Sequence, residues 1–219
     1  MIADLHIHSR CSRDSLMDPA KIVSIARKRG LAGIAVTDHN TIRGGILAHE
    51  ANRDKDFLVV IGAEIKTEYG DILGLFLDAE IVARKFDDVV KEIRAQGGLA
   101  VLAHPYRQYP SPRSLMEQVD LIEVFNSRSR RRINAIAATL GQPSGKPVTG
   151  GSDAHVYTEI GRGVTICAGT DLEKALRVGE TTVRGQESNY YIVHGLSYTI
   201  EKLKGLTRAG KGGNSGFIC

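Results

Sequence analysis

The 219-residue chain has no tryptophan, and aromatic residues make up only 5% of it. A core must therefore be built from Ile, Val, Leu and Ala. Cysteines number three (Cys11, Cys167 and Cys219), widely scattered and without a CxxC. Neither a disulfide framework nor a structural zinc knuckle is suggested, which fits a reducing, cytoplasmic setting. No stretch approaches the roughly 18 apolar residues of a membrane span, so no membrane association is expected. The first residues run straight into a charged strand, Ala3-Asp4-Leu5-His6, and do not read as a signal peptide. No internal repeat is visible. What remains is the balance of a soluble globular protein, 42% hydrophobic and 25% charged. A net charge of +4 tolerates an anionic substrate without requiring one.

The informative stretch is Met1-Ile-Ala-Asp-Leu-His-Ile-His-Ser9. Apolar and polar residues alternate in it, as on a β-strand, where every second side chain shares a face. His6 and His8 therefore project together, about 7 Å apart along the strand. Two adjacent imidazoles make poor core but half of a good metal site. The plainer reading is a half-exposed strand that happens to carry two histidines.

The chain beyond it alternates short apolar runs with helical patterns. Asp18-Pro19 reads as an N-cap with Pro in the first helical turn, opening a helix over Ala20–Arg29 that stops at Gly30. Strands are predicted over Gly33–Thr37, Phe57–Ile61, Ile72–Leu77, Leu99–Ala103, Leu121–Phe125 and Tyr190–Val193. Helices are predicted over Arg43–Arg53, Phe86–Ala95, Arg130–Leu140, Asp171–Val178 and Ser197–Leu206. Alternation of this kind describes βα units around a parallel sheet. Polar residues recur just past the strand ends: His8, Asp38/His39, Glu64, His104, Asn126 and Asp153/His155. In a β/α barrel those ends share one face, where active sites are built.

The convergent set is His6, His8, Asp14, His39, Glu64, Asp71, His104, Asp153 and His155. Imidazole and carboxylate without thiolate suit Zn²⁺, Mn²⁺ or Fe²⁺. So many such groups in one cleft exceed the needs of one ion and are costly to desolvate unpaired. Two or three divalent cations would neutralise them. Clusters of this type activate water and clamp phosphoryl oxygens for in-line displacement.

This pattern resembles the polymerase and histidinol phosphatase (PHP) family of metal-dependent phosphoesterases. Asp4-Leu-His-Ile-His-Ser9 with Asp14, Thr37-Asp-His39, Gly62-Ala-Glu64, His104-Pro105 and Gly151-Ser-Asp-Ala-His155 match its motifs in order. The resemblance implies a distorted, seven-stranded (β/α)7 barrel of TIM-like α/β class, with a motif core over residues 1–165. It implies that His6, His8, Glu64 and Asp153 hold one ion. Glu64 would bridge to a second ion held with His104, and Asp14, His39 and His155 would hold a third. Many members carry a His where this chain has Asp71, which would favour a harder ion such as Mn²⁺. The alternative is that Asp71 is a turn residue only. Hydroxide held between metals would attack phosphorus. His39 or His155, where not committed to metal, are candidates to protonate the leaving oxygen, and Glu64 counts with them as catalytic.

Arg10, Arg107 and Arg128 lie beside these motifs and are candidates for substrate phosphate, since Arg offers a bidentate fork. Arg10 and Arg107 could equally be local ion-pair partners, and Arg128 part of a solvated basic face with Arg130, Arg131 and Arg132. Asp4 and Asp38 neighbour ligands and are expected to accept from ligating imidazoles. Glu123 could face the barrel or pair with an arginine. His49 reads as structural, and His194 as a minor candidate for the cleft.

One domain is expected over residues 1–204, with a flexible Gly/Lys-rich tail over residues 205–219. The expected substrate is a small phosphorylated compound: a nucleotide, a nucleoside bisphosphate or a short nucleic-acid end. No obligate protein partner is expected. A histidinol-phosphate phosphatase and a non-catalytic metal-binding regulatory domain are the alternatives.

Overall fold

The computed structural model describes residues 1–107, 113–209 and 219, apart from the side chains of residues 140–144 and 207–209. Among the described residues nine strands form one sheet: β1 Ile2–Ile7, β2 Gly33–His39, β3 Leu58–Lys66, β4 Asp71–Leu75, β5 Leu99–Leu102, β6 Leu121–Asn126, β7 Val148–Gly151, β8 Gly163–Cys167 and β9 Thr181–Gly185. The helices are α1 Pro19–Lys28, α2 Arg43–Ala51, α3 Phe86–Ala95, α4 Arg113–Met116, α5 Arg131–Ser144, α6 Leu172–Val178 and α7 Tyr190–Ala209. Strand order is β7-β6-β5-β4-β3-β2-β1-β8-β9. The sheet curls until its ends nearly meet. Just past β7, Ala154 bridges to Ile7 of β1, with His8 N donating to Ala154 O at 2.9 Å. The result is a nearly closed barrel, in keeping with the predicted class.

The strand count and directions differ from a simple seven-stranded βα repeat. The pairs β1/β2, β2/β3, β5/β6 and β6/β7 are parallel. β4 is antiparallel to both of its neighbours, and β8 and β9 add an antiparallel flank beside β1. The turn Glu68-Tyr-Gly-Asp71 makes β3 and β4 a hairpin, which leaves no room for a crossover helix. The register of β1 also slips between Asp4 and Ile7. Ala3 and Leu5 consequently join one apolar cluster and Ile7 another.

Aliphatic side chains do build the core. One cluster fills the barrel, from Ala3, Leu5, Ala35, Val60, Leu73 and Val101 down to Leu172 and Leu176 of α6. Two more lie between the sheet and its helices, one around Ile22 and Val36, the other around Phe86 and Ile93. Asp18 caps α1 through Lys21 N at 3.2 Å, as its sequence predicts.

Three expectations are corrected. The stretch from Tyr190 to Leu206 is one helix, α7, not a strand followed by a helix. Residues 205–209, assigned to the tail, belong to that helix, and residues 210–218 lie outside the described residues. Cys11 and Cys219 form a disulfide across 208 positions, where no disulfide was expected. Among the described residues no helix is long and apolar enough to cross a membrane.

Candidate metal centre

The rim at the carboxyl ends of the parallel strands gathers the predicted donors. His6 and His8 come from the end of β1, His39 closes β2, Glu64 lies in β3, and His104 follows β5. Asp153 and His155 follow β7, and Asp14 enters from the loop after β1. Asp71 is the first residue of β4, where it pairs with Lys66. Because β4 runs backwards, its start lies on the same rim as the end of β3. Asn40, His104 and Asp153 turn the chain off the sheet with φ of 57°, 28° and 55°. Such left-handed conformations in non-glycine residues concentrate at functional sites. A Cβ on Gly151 would come within 2.4 Å of His6 Cβ, so β1 and β7 approach here only because that residue is glycine.

The donor atoms converge closely. His6 Nε2 and His8 Nε2 are 3.1 Å apart. Glu64 Oε2 lies 3.6 Å from His6 Nε2, 3.3 Å from His8 Nε2 and 3.0 Å from His39 Nδ1. Its other oxygen is 2.9 Å from His104 Nε2. Asp153 Oδ1 lies 3.5 Å from His6 Nε2 and 3.3 Å from His8 Nε2. Asp14 Oδ2 lies 3.3 Å from His39 Nε2 and 3.0 Å from His155 Nε2. Two donors that each sit about 2.1 Å from a shared ion are roughly 3.0–3.4 Å apart, so the spacing suits shared cations. Two buried atoms of these donors, Asp14 Oδ1 and His104 Nδ1, have no hydrogen-bond partner among the described residues.

Four groups could each hold an ion: His8/Asp14/His39/His155, His6/His8/Glu64, His6/His104/Asp153 and Glu64/Asp71/His104. Asp71 is therefore within reach of Glu64 and His104. Nitrogen and oxygen donors of this mix fit a divalent transition ion.

The imidazoles are shifted in opposite directions: His8 falls, while on His6 and His39 burial is outweighed by nearby carboxylates and both rise. Burial, with His155 and His39 nearby, pushes His8 down to about 3, so it is neutral, the state that ligates. Burial opposes ionisation of Glu64 and Asp153, but neighbouring imidazoles, joined at Asp153 by Arg107, hold both well below the usual carboxylate range. Burial likewise opposes charge on Asp14, and His155 and His39 outweigh it. On His6 burial is overcome by Asp153, Glu123 and Glu64, which raise its pKa.

A surrounding set of side chains orients the donors. Glu123 Oε1 is 2.9 Å from His6 Nδ1, and Oε2 accepts from His104 N at 2.8 Å. Glu123 thus pairs with an imidazole rather than an arginine. Asp38 accepts from Ser12 Oγ, which lies 3.1 Å from His8 Nδ1, so its support is relayed. Asp4 accepts from the backbone N–H groups of Ser152 and Gly161, not from an imidazole. Burial pushes its carboxyl up to about 6. Two partners compete for His155 Nδ1: the Asp153 carbonyl at 2.8 Å, which can only accept, and Arg128 Nη1 at 2.6 Å, which can only donate. Coordination through Nε2 selects the carbonyl, since it requires the proton on Nδ1.

Above the donors opens a cleft of about 780 Å³. Arg107 lines it and donates to Asp153 Oδ2 at 2.8 Å and Asn126 Oδ1 at 3.3 Å. Arg128 also lines it, but is buried and engaged by Ser197 Oγ, the Val193 carbonyl and Glu159. Arg10 pairs with Asp18 and is not among the cleft-lining residues. His194 does reach the cleft, through α7, together with Tyr190 and Ser197. His49 lies in α2, away from it. The sequence marks Glu123 without naming its imidazole partner, and Glu159 carries no sequence signal, since an isolated Glu after a strand says nothing of its partner.

The PHP domain profile matches residues 4–142. The chain belongs to the PHP domain family. A PHP-associated profile matches residues 131–181 of this PHP protein, so α7 lies beyond both. It is 38% identical to an uncharacterized protein of Methanocaldococcus jannaschii, over 59% of this chain and 84% of that one. It is 27% identical to a probable histidinol-phosphatase of Thermotoga maritima, over 74% of this chain and 87% of that protein. Among solved structures it resembles a two-domain protein of Bacteroides vulgatus containing a predicted PHP-like metal-dependent phosphoesterase. The TM-score is 0.73 at 22% identity, covering 85% of this chain and 65% of that one. At that identity the likeness is one of fold.

Proposed function

We propose that this PHP protein is a metal-dependent phosphoesterase with two or three divalent ions, Mn²⁺, Zn²⁺ or Fe²⁺. Its proposed substrate is a phosphate ester of a nucleotide, a nucleoside bisphosphate or an oligonucleotide end. The observation that carries the reading is the convergence of nine His, Asp and Glu side chains on the floor of an arginine-lined cleft. His6, His8, Glu64 and Asp153 would hold one ion. Glu64, His104 and Asp71 would hold a second, and Asp14, His39 and His155 a third. Bound divalent ions supply an activated water and a clamp on phosphoryl oxygens. Glu64 touches four imidazoles and is the group shared between ions. Arg107, fixed by Asp153 and Asn126, is placed to meet a phosphoryl oxygen. Arg128 is held beside His155 by Glu159, Ser197 and the Val193 carbonyl, which leaves it less free than Arg107 to meet the substrate.

The cleft is far larger than a phosphate group requires. One wall carries the Tyr190 and His194 rings, whose centroids are 4.1 Å apart. Arg130 packs over Tyr190 at 4.4 Å. Lys66 and Arg84 lie among the other lining residues. A ring surface together with cations supports a substrate that joins an aromatic base to more than one anionic group. The likeness to the histidinol-phosphatase favours histidinol phosphate as the second reading.

A phosphate-release screen with Mn²⁺, Zn²⁺ and Mg²⁺ tests both. Nucleoside bisphosphates, mononucleotides, short oligonucleotides and histidinol phosphate are compared. Preferred release from nucleotides supports the first reading, and preferred release from histidinol phosphate the second. No release from any of them, by protein shown to bind metal, overturns the enzymatic reading and leaves a metal-binding domain.

A further inference from the structure

Helix α7 is the part of the molecule that neither the metal reading nor the βα architecture accounts for. It nevertheless touches the structures that carry both outward donors. Lys204 Nζ donates to three carbonyls of the loop after β1: Arg10 O at 2.8 Å, Ser12 O at 2.6 Å and Ser15 O at 2.8 Å. That loop carries Asp14. Three residues before Lys204, Glu201 pairs with Arg13 at 3.4 Å. Near the start of the helix, Ser197 Oγ and the Val193 carbonyl accept from Arg128. Arg128 in turn lies against His155 Nδ1. The buried positions Val193, Ser197 and Ile200 form the stripe that keeps α7 seated.

Three carbonyl dipoles aimed at one point repel each other. An ammonium group answers that arrangement with three N–H donors spread around a point charge. Lys204 thus fixes the curvature of residues 10–15 and, through it, the position of Asp14. Inside the loop, Ser15 Oγ donates to the carbonyls of His8 and His155, at 3.0 and 3.1 Å. These two bonds anchor the far end of the loop beside β1 and β7, so releasing the loop at Lys204 would fall on Asp14 in particular.

We infer that Lys204 of α7 is a positioning residue for the outermost ion, setting its affinity by holding the Asp14 loop from behind. The inference rests on the proposed metal centre. It does not require Lys204 to touch substrate or metal, and it predicts an effect on one ion only. The ions held by Glu64, His104 and Asp153 draw no ligand from the loop.

The test is Mn²⁺ titration of the metal-stripped protein by calorimetry, with ion content measured after dialysis. Reductant is present throughout, so that the Cys11–Cys219 bond does not hold the loop in place of Lys204. Wild type is compared with Lys204→Met and Lys204→Arg. The expected result is about ten-fold or greater weakening of a single ion in Lys204→Met, with the remaining ions unchanged. Lys204→Arg, which keeps the charge but offers a planar fork, is expected to recover part of the affinity. Lys204→Gln replaces Lys204→Met if the latter does not fold. Wild-type affinity for every ion in the neutral variant overturns the inference, as does equal weakening of all ions. If wild type itself binds no divalent ion, the metal reading fails first, and that outcome is distinct.

Discussion

The two ends of the metal pocket are built differently. The outer end, His8, Asp14, His39 and His155, has three imidazoles to one carboxylate. The inner end, Glu64, Asp71 and His104, has two carboxylates to one imidazole. Asp14 and His39 are 14% and 21% exposed, whereas Glu64 and His104 are 2% and 0% exposed at the side chain. The outer end is thus the nitrogen-rich, water-accessible one, suited to a borderline ion that can exchange. The inner end is oxygen-rich and closed, and suits a harder ion. The donor sets differ in this way because the donors of one rim come from strands of both directions.

The largest effect should come from erasing the comparison altogether. Glu64 belongs to two of the ion-holding groups, His6/His8/Glu64 and Glu64/Asp71/His104, so Glu64→Gln is expected to lower phosphate release by about 10³-fold and to remove more than one ion. Elemental analysis beside the activity assay checks this. Loss of a single ion would mean that Glu64 is not shared between ions. Next, Asp71→Asn should weaken the inner ion about 10–100-fold and leave the outer one unchanged, as read by calorimetric titration. Asp71→His should instead move the inner end toward Zn²⁺ over Mn²⁺ in competition. Glu123→Gln, which loosens the hold on His6 Nδ1, should cost about ten-fold in activity with the fold intact by circular dichroism. The smallest effect lies on the cleft wall. Tyr190→Ala should raise KM for a nucleotide a few-fold and leave KM for glycerol phosphate unchanged. Equal changes for both substrates would remove the ring wall from substrate recognition.

Much of the outer end was legible in the sequence. His6 and His8 alternate on one strand, and His39, Asp153 and His155 follow the ends of apolar runs. A period of two and a β/α alternation are enough to place them together. The inner end was less legible, because Asp71 stands at the beginning of a strand. Only the antiparallel direction of β4 brings it to the rim, and direction is not written in local periodicity. Tyr190-Tyr-Ile-Val193 misleads for a related reason. Aromatic and β-branched residues favour strands, and Gly195 suggests a break. The seating of Val193, Ser197 and Ile200, at helical spacing, outweighs that preference. The slip in β1 and the pairing of Cys11 with Cys219 both depend on partners far along the chain, so no window of sequence could reveal them.

The hairpin of β3 and β4 also bears on the order in which the rim forms. Glu64 and Asp71 lie on paired strands joined by a turn of four residues, Asp71 opposite Lys66 and Glu64 opposite Leu73, and His104 joins them from the next strand in the sheet. The outer end needs Asp14 and His155, whose meeting requires the two ends of the barrel to come together through Ile7 and Ala154. Contacts close in sequence form faster than those that close long loops. The inner donors are therefore expected to assemble while the barrel is still open. An ion present during folding would reach them first and template the strands that later carry the rest. Refolding in Mn²⁺ should then be faster than refolding followed by Mn²⁺ addition, with the gain lost in Asp71→Asn.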